Sequence, residues 1–169
     1  MRVLETERLV LRWAGPADAE FMLELLNEPA FIRNIGNRGA RTAEDAGRYI
    51  AERLVASYER NGFGLYVVEL KETGEPVGIC GLVRRESLDD VDVGFAFLER
   101  FWSRGYAVES ATAVMDYAKG TLGLRRIVGI TLPDNVASVR VLERIGLRFE
   151  RRVRLTPDDD ELMLYGTGA

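Results

Sequence analysis

Between Val91 and Leu132 the hydrophobic pattern changes period twice. Val91–Leu98 reads as a strand, and Arg126–Leu132 as a β-branched one. Between them Ala107, Ala111, Val114, Ala118 and Leu122 recur at three- and four-residue steps, the spacing of a helix face, closed by Gly123. A strand, a crossover helix and a second strand of one sheet place the two strands parallel. The rest of the chain must be built around that unit.

On the N-terminal side, Leu9–Trp13 alternates as a strand, and Gly15-Pro16 opens a helix striped by Phe21, Met22, Leu25 and Leu26, with Pro29 just past its end. Thr42 is placed to cap a second helix with Asp45 as its capping-box partner; its stripe is Ala46, Tyr49, Ile50, Leu54 and Tyr58, and Asn61-Gly62 stops it. Leu65–Leu70 and Pro76–Arg84 form a hairpin through Lys71–Glu75. On the C-terminal side, Asn135–Ile145 is a short helix ended by Gly146, and Leu147–Leu155 with Glu161–Gly166 make a final hairpin. The order is β-α-α-β-β-β-α-β-α-β-β, an α/β chain with a mixed, twisted sheet and helices on both faces. Its 169 residues predict one domain, 1–169.

Composition removes whole classes of chemistry. There is no histidine, which excludes a Ser-His-Asp triad, histidine-ligated metals and a histidine base. The single cysteine, Cys80, excludes an internal disulfide and a multi-cysteine zinc site. No metal is expected, and catalysis falls to carboxylates, hydroxyls, amides, phenols and backbone groups. A net charge of −4 without a recognition motif argues against a nucleic-acid partner. No apolar run approaches the ~20 residues that span a bilayer. Met1–Arg8 carries no hydrophobic signal segment, so the expectation is a cytoplasmic protein without membrane contact.

Two stretches carry chemistry. Trp102-Ser103-Arg104-Gly105-Tyr106-Ala107 is a glycine-containing turn between strand and helix. Such a turn leaves backbone N–H groups pointing outward at a helix N-terminus, an anion site suited to phosphate; equally, it is a tight connection with no ligand. It is neither a P-loop nor a dinucleotide fingerprint. Asn135-Val136-Ala137-Ser138 opens the next helix, and both Asn135 and Ser138 are residue types that simply cap.

Together, in this order and about 33 residues apart, the stretches resemble the GNAT superfamily of acyl-CoA N-acyltransferases. The general pattern is Gln/Arg-x-x-Gly-x-Gly/Ala, and Trp102 departs from its first position. Trp102, Arg104-Gly105-Tyr106-Ala107 and Glu109 are instead similar to the RimJ/RimL-like branch, as are Thr6–Arg12 and the series Asn135, Ser138, Leu142, Gly146, Leu147. The resemblance implies a fold whose two central parallel strands, here 91–98 and 126–132, splay around acetyl-CoA. Backbone groups near Phe97 and Leu98 would pair with the pantetheine arm. The pyrophosphate would rest on the amides of Arg104, Gly105, Tyr106 and Ala107, with Arg104 and Arg140 adding charge. Asn135 would bind the cofactor arm or fix the loop.

For catalysis the resemblance implies Ser138 as proton donor to the leaving thiolate, since no tyrosine lies between 135 and 146. Asp92, on the opposite face of its strand from Val91, Val93 and Phe95, is the candidate base; as alternatives, it is a structural acid, or Glu109 or bulk water serves. The implied activity is acetyl-CoA-dependent N-acetyl transfer to a primary amine, either a protein N-terminus or a small molecule. A non-catalytic acyl-CoA-binding domain is the alternative, and a homodimer is compatible with either.

Overall fold

The computed structural model describes residues 1–168. Eight strands form one sheet: β1 (Arg2–Glu5), β2 (Leu9–Arg12), β3 (Leu65–Leu70), β4 (Pro76–Val83), β5 (Val91–Phe97), β6 (Ile127–Thr131), β7 (Arg148–Val153) and β8 (Leu162–Gly166). Their spatial order is β1-β2-β3-β4-β5-β6-β8-β7. Every neighbouring pair is antiparallel except β5 and β6, which are parallel as the crossover requires.

The helices are α1 (Ala19–Leu26), α2 (Pro29–Asn34), α3 (Ala43–Tyr49), α4 (Ala56–Asn61), α5 (Tyr106–Gly120) and α6 (Val136–Arg144). The α3 helix runs into α4 through a π-helical stretch, Ile50–Val55. The expected capping box is present: Thr42 Oγ1 accepts from the Asp45 N–H at 3.1 Å, and the Asp45 carboxylate accepts from the Thr42 N–H at 3.2 Å. No helix among the described residues is long and apolar enough to cross a membrane.

Pro29 lies just past the end of α1, as expected, and also starts α2, at the position where a missing N–H costs nothing. Two expectations are corrected. A further strand, β1, precedes Leu9 and pairs with β2. The second helix is not uniformly α-helical.

Register assigns the faces. Cys80 lies opposite Phe95 and Leu82 opposite Val93; Ile79 lies opposite Ala96 and Val83 opposite Asp92. Directly paired residues share a face. The α5 helix packs on β4 and β5 with Ser110 beside Cys80, so α5 covers the Cys80 and Phe95 face. The first helices cover the other: Val67, paired with Ile79, lies opposite Arg12, whose guanidinium donates to Asp18 at the start of α1 at 2.8 Å. The α6 helix lies on the α5 side, where Gly129 of β6 lets Leu142 approach.

The sheet also needs a close backbone approach at Gly81. A Cβ there would stand 2.0 Å from the Gly64 carbonyl oxygen. Backbone cannot yield as a side chain can, so Gly81→Ala is expected to cost about 2–3 kcal/mol or more in urea denaturation. Wild-type stability in that variant would contradict the packing described.

Candidate active site

The β5–β6 ladder contains two pairs, Val91 with Ile127 and Asp92 with Val128, and then stops. β6 continues along β8 to Thr131, and β5 continues along β4 to Phe97. The strands therefore part, and the β6-facing edge of Val93–Phe97 has no strand partner. The Leu98 N–H donates to Val77 at 2.9 Å on the β4 side, so antiparallel alternation turns the backbone groups of Val93, Phe95 and Phe97 toward the gap.

Two groups at the end of that edge are already bonded. The Phe97 carbonyl accepts from the Trp102 indole N–H at 2.8 Å. Leu98 is fully buried, and besides its N–H its carbonyl is engaged, accepting from the Phe101 N–H at 2.9 Å. Both backbone groups of Leu98 thus have partners within the chain, and the Phe97 N–H is the donor of that pair left without one, each carbonyl keeping a second lone pair.

At the mouth of the gap, Gly105 sits at φ +84°, a left-handed conformation that glycine adopts without strain. The first α-helical N–H of α5 is that of Glu109, which donates to the Gly105 carbonyl at 3.0 Å. The amides of Tyr106, Ala107 and Val108 precede it without an intrahelical acceptor, and no side chain caps them. Gly105 and these three residues line a cavity of about 640 Å³ that fills the gap. An acyl-CoA would fit this arrangement: an extended arm could pair with the unpaired strand edge, and a pyrophosphate could accept from the uncapped amides where no Cβ intervenes.

The charge beside the turn is not the expected one. Arg104 lies with its guanidinium 5.6 Å from the Phe101 ring centre and does not line the cavity. Arg8, from the turn between β1 and β2, is adjacent instead. It stacks 4.7 Å from the Tyr106 ring centre, and its Nη2 lies 3.3 Å from where a Gly105 Cβ would stand. Arg8 is held by Glu109, which accepts from the Arg8 Nε at 2.7 Å, from the Arg8 backbone N–H at 3.0 Å and from the Thr6 hydroxyl at 2.5 Å. These donors keep the Glu109 carboxyl below its ordinary range against the opposing effect of partial burial. Glu109 is a strut between the first hairpin and α5, outside the cavity.

The α6 side contributes Asn135, Ser138 and Arg140 to the cavity lining. Asn135 caps α6, its Oδ1 accepting from the Ser138 N–H at 3.3 Å. Among the described residues the Ser138 hydroxyl has no hydrogen-bond partner, so it can turn toward a ligand. Arg140 is exposed on the helix surface.

Asp92 lines the same cavity from the opposite face of the sheet. It is 1% exposed, and its Oδ2 accepts from the Arg85 Nε at 2.7 Å. Burial pushes its carboxyl up to about 6, and the Arg85 charge and hydrogen bond keep it from rising further. Sequence reasoning did not find Arg85, which sits in the loop after β4, nor Arg33, Arg38 and Tyr49, which line the Asp92 side. An arginine in a loop carries no periodic signal that could have singled it out.

Comparison with known proteins agrees with this geometry. The model of the acetyltransferase (GNAT) domain matches residues 8–148. The chain is 36% identical over 95 residues to YkkB of Bacillus subtilis, a match spanning 55% of each protein, so it aligns with about half the length of that relative. It is 28% identical over 153 residues to the N-acetyltransferase YoaA of the same organism, covering 90% of this chain and 86% of the relative. An acetyltransferase from Agrobacterium tumefaciens superposes with a TM-score of 0.81 at 30% identity, covering 98% of this chain and 94% of the other. RimL, a ribosomal L7/L12 alpha-N-protein acetyltransferase solved with coenzyme A, superposes with a TM-score of 0.84 over 98% of this chain and 97% of its own; at 18% identity it shows the shared fold. With its splayed parallel strands, uncapped α5 turn and matched domain, this chain belongs to the GNAT acetyltransferase family.

Proposed function

We propose that the protein transfers an acetyl group from acetyl-CoA to a primary amine, both substrates being bound together. The observation that carries this reading is the single cavity joining the uncapped α5 turn, the unpaired β5 edge, Ser138 and Asp92. The family, in which relatives are named N-acetyltransferases, supports it. Acetyl-CoA would supply the thioester; this chain's part is to hold it, orient the amine and move protons.

In the step, the amine lone pair forms a C–N bond to the acetyl carbonyl carbon as the C–S bond breaks. The sulfur leaves with the bonding pair and takes up one proton, while the nitrogen gives one up. Asp92, on the α2–α3 side, would accept the amine's proton, directly or through water. An ordinary aspartate near 3.9 is too weak a base for this task, and burial, which pushes Asp92 up to about 6, narrows that mismatch. Ser138, on the α6 side, would donate to the sulfur. Holding amine and thioester together contributes whatever the proton carriers do. The acceptor is an amine of a protein N-terminus or of a small molecule.

The cofactor placement is tested by calorimetry with acetyl-CoA. Gly105→Asp adds bulk and negative charge at the turn and should abolish or greatly weaken binding in a folded protein; unchanged affinity would remove the turn from the site. Ser138→Ala should lower turnover about 10²-fold or more with little change in acetyl-CoA affinity. Turnover near wild type would leave Ser138 as part of the cap, with water as the donor.

The base is tested by pH. Activity should rise with pH through a limb near 6, because only the ionised carboxylate accepts a proton. Asp92→Asn should remove that limb. Arg85→Gln should move it upward, since loss of the guanidinium takes away the charge that favours the carboxylate. A limb that stays in Asp92→Asn and follows the pKa of the acceptor amine would assign deprotonation to solvent. Tight acetyl-CoA binding without turnover on any amine or N-terminal peptide would favour a non-catalytic acyl-CoA-binding domain.

A further inference from the structure

The cavity is lined by five arginines, Arg33, Arg38, Arg85, Arg140 and Arg144, against two carboxylates, Glu28 and Asp92. The whole chain carries a net charge of −4, so the lining is positive against that background, because few carboxylates reach it rather than because arginine is enriched. Both carboxylates are already engaged: Glu28 Oε1 accepts from the Glu99 N–H at 2.7 Å, and Asp92 accepts from Arg85. Arg140 and Arg144 belong to α6, on the phosphate side of the sheet.

Arg33 and Arg38 are on the other side. Arg33 is in the last turn of α2, and Arg38 is in the loop that follows. They reach the cavity with Phe31 and Tyr49, whose helices cover the face bearing Asp92. Among the described residues neither arginine makes an ion pair or a side-chain hydrogen bond. Arg38 lies over Gly36, where a Cβ would stand 3.1 Å from its Nη1, so the loop's backbone leaves room for the guanidinium.

Resting on the acetyl-transfer reading above, we infer that the acceptor is a small primary amine that also bears a carboxylate, with Arg33 and Arg38 binding that carboxylate while the amine faces Asp92. A guanidinium is a fork of donors that matches a carboxylate in shape and charge. Two such groups beside an amine site favour an acceptor that brings its own negative charge. They disfavour a polyamine, whose second ammonium would lie among arginines without a carboxylate to pair with.

The test is thiol release from acetyl-CoA with matched acceptors: glycine, leucine and aspartate, their carboxamides, O-phosphoethanolamine and spermidine. The carboxylates should be used best. The double variant Arg33→Gln/Arg38→Gln should raise their KM about tenfold or more while leaving the acetyl-CoA KM unchanged. A second arm does not need turnover. The N-acetylated forms of the three amino acids and of their carboxamides are titrated into CoA-loaded protein, where the carboxylates should bind and lose affinity in the double variant.

Equal use of carboxamides, preference for O-phosphoethanolamine or spermidine, unchanged KM in the double variant, or no carboxylate binding to the CoA-loaded protein would each overturn the inference. Turnover of uncharged or cationic amines equal to or better than that of the carboxylates would do so while leaving acetyl transfer intact. Failure of acetyl-CoA itself to bind would instead sink the underlying reading.

Discussion

The site depends on a ladder of backbone hydrogen bonds that stops after two pairs. β5 and β6 start together at Val91 and Ile127 and separate after Asp92 and Val128, leaving one edge of β5 without a strand. A buried backbone donor or acceptor with no partner costs about 1–3 kcal/mol, so such an edge invites water or a ligand. Side chains hold the separation open. Gly129 has no Cβ, so Leu142 of α6 and Leu147 after it pack directly on β6. Trp102 occupies the Phe97 carbonyl and closes the far end of the edge. The turn at Gly105 then places uncapped amides where the edge finishes.

Electrostatics divide the cavity by face. The α5–α6 side offers amides, a serine hydroxyl and arginines, suited to a polyanion with a thioester at its end. The α2–α3 side offers one buried carboxylate and arginines that it does not neutralise. Asp92 carries a cost in this setting. Its folded-state carboxyl titrates near 6, above the ordinary value of about 3.9, so its contribution to stability is fully present below the ordinary value and is lost as pH rises through about 6. The fold bears an ionised, buried Asp92 at neutral pH with help from Arg85, which is consistent with a group kept for chemistry.

Much of this was legible in the sequence where a periodic pattern existed. The switch from strand to helix to strand across 91–132 required the parallel pair, and alternation along Val91–Phe97 put Asp92 on the face away from Phe95. The Thr42–Asp45 box and the turn at Gly105 also stood out, because capping and left-handed turns use few residue types. Short and aperiodic features were hidden. β1 has only four residues, two of them exposed, and Pro29 serves a helix start as well as it follows a helix end. The partners that tune the site, Arg85 for Asp92 and Arg8 for the turn, lie on other segments, and only the three-dimensional register brings them close. The bonding of Leu98 was hidden too, because sequence cannot tell which backbone groups the neighbouring strand and the following 3-10 turn have taken.

The central claim is that coenzyme A completes the interrupted ladder. Amide hydrogen exchange followed by NMR, with and without coenzyme A, addresses it directly. The account expects added protection at Phe95 and Phe97 along the β5 edge and at Gly105, Tyr106, Ala107 and Val108 in the turn, with the already bonded Leu98 amide changing little. Binding that leaves those amides unaltered, or that protects a different surface, would contradict it.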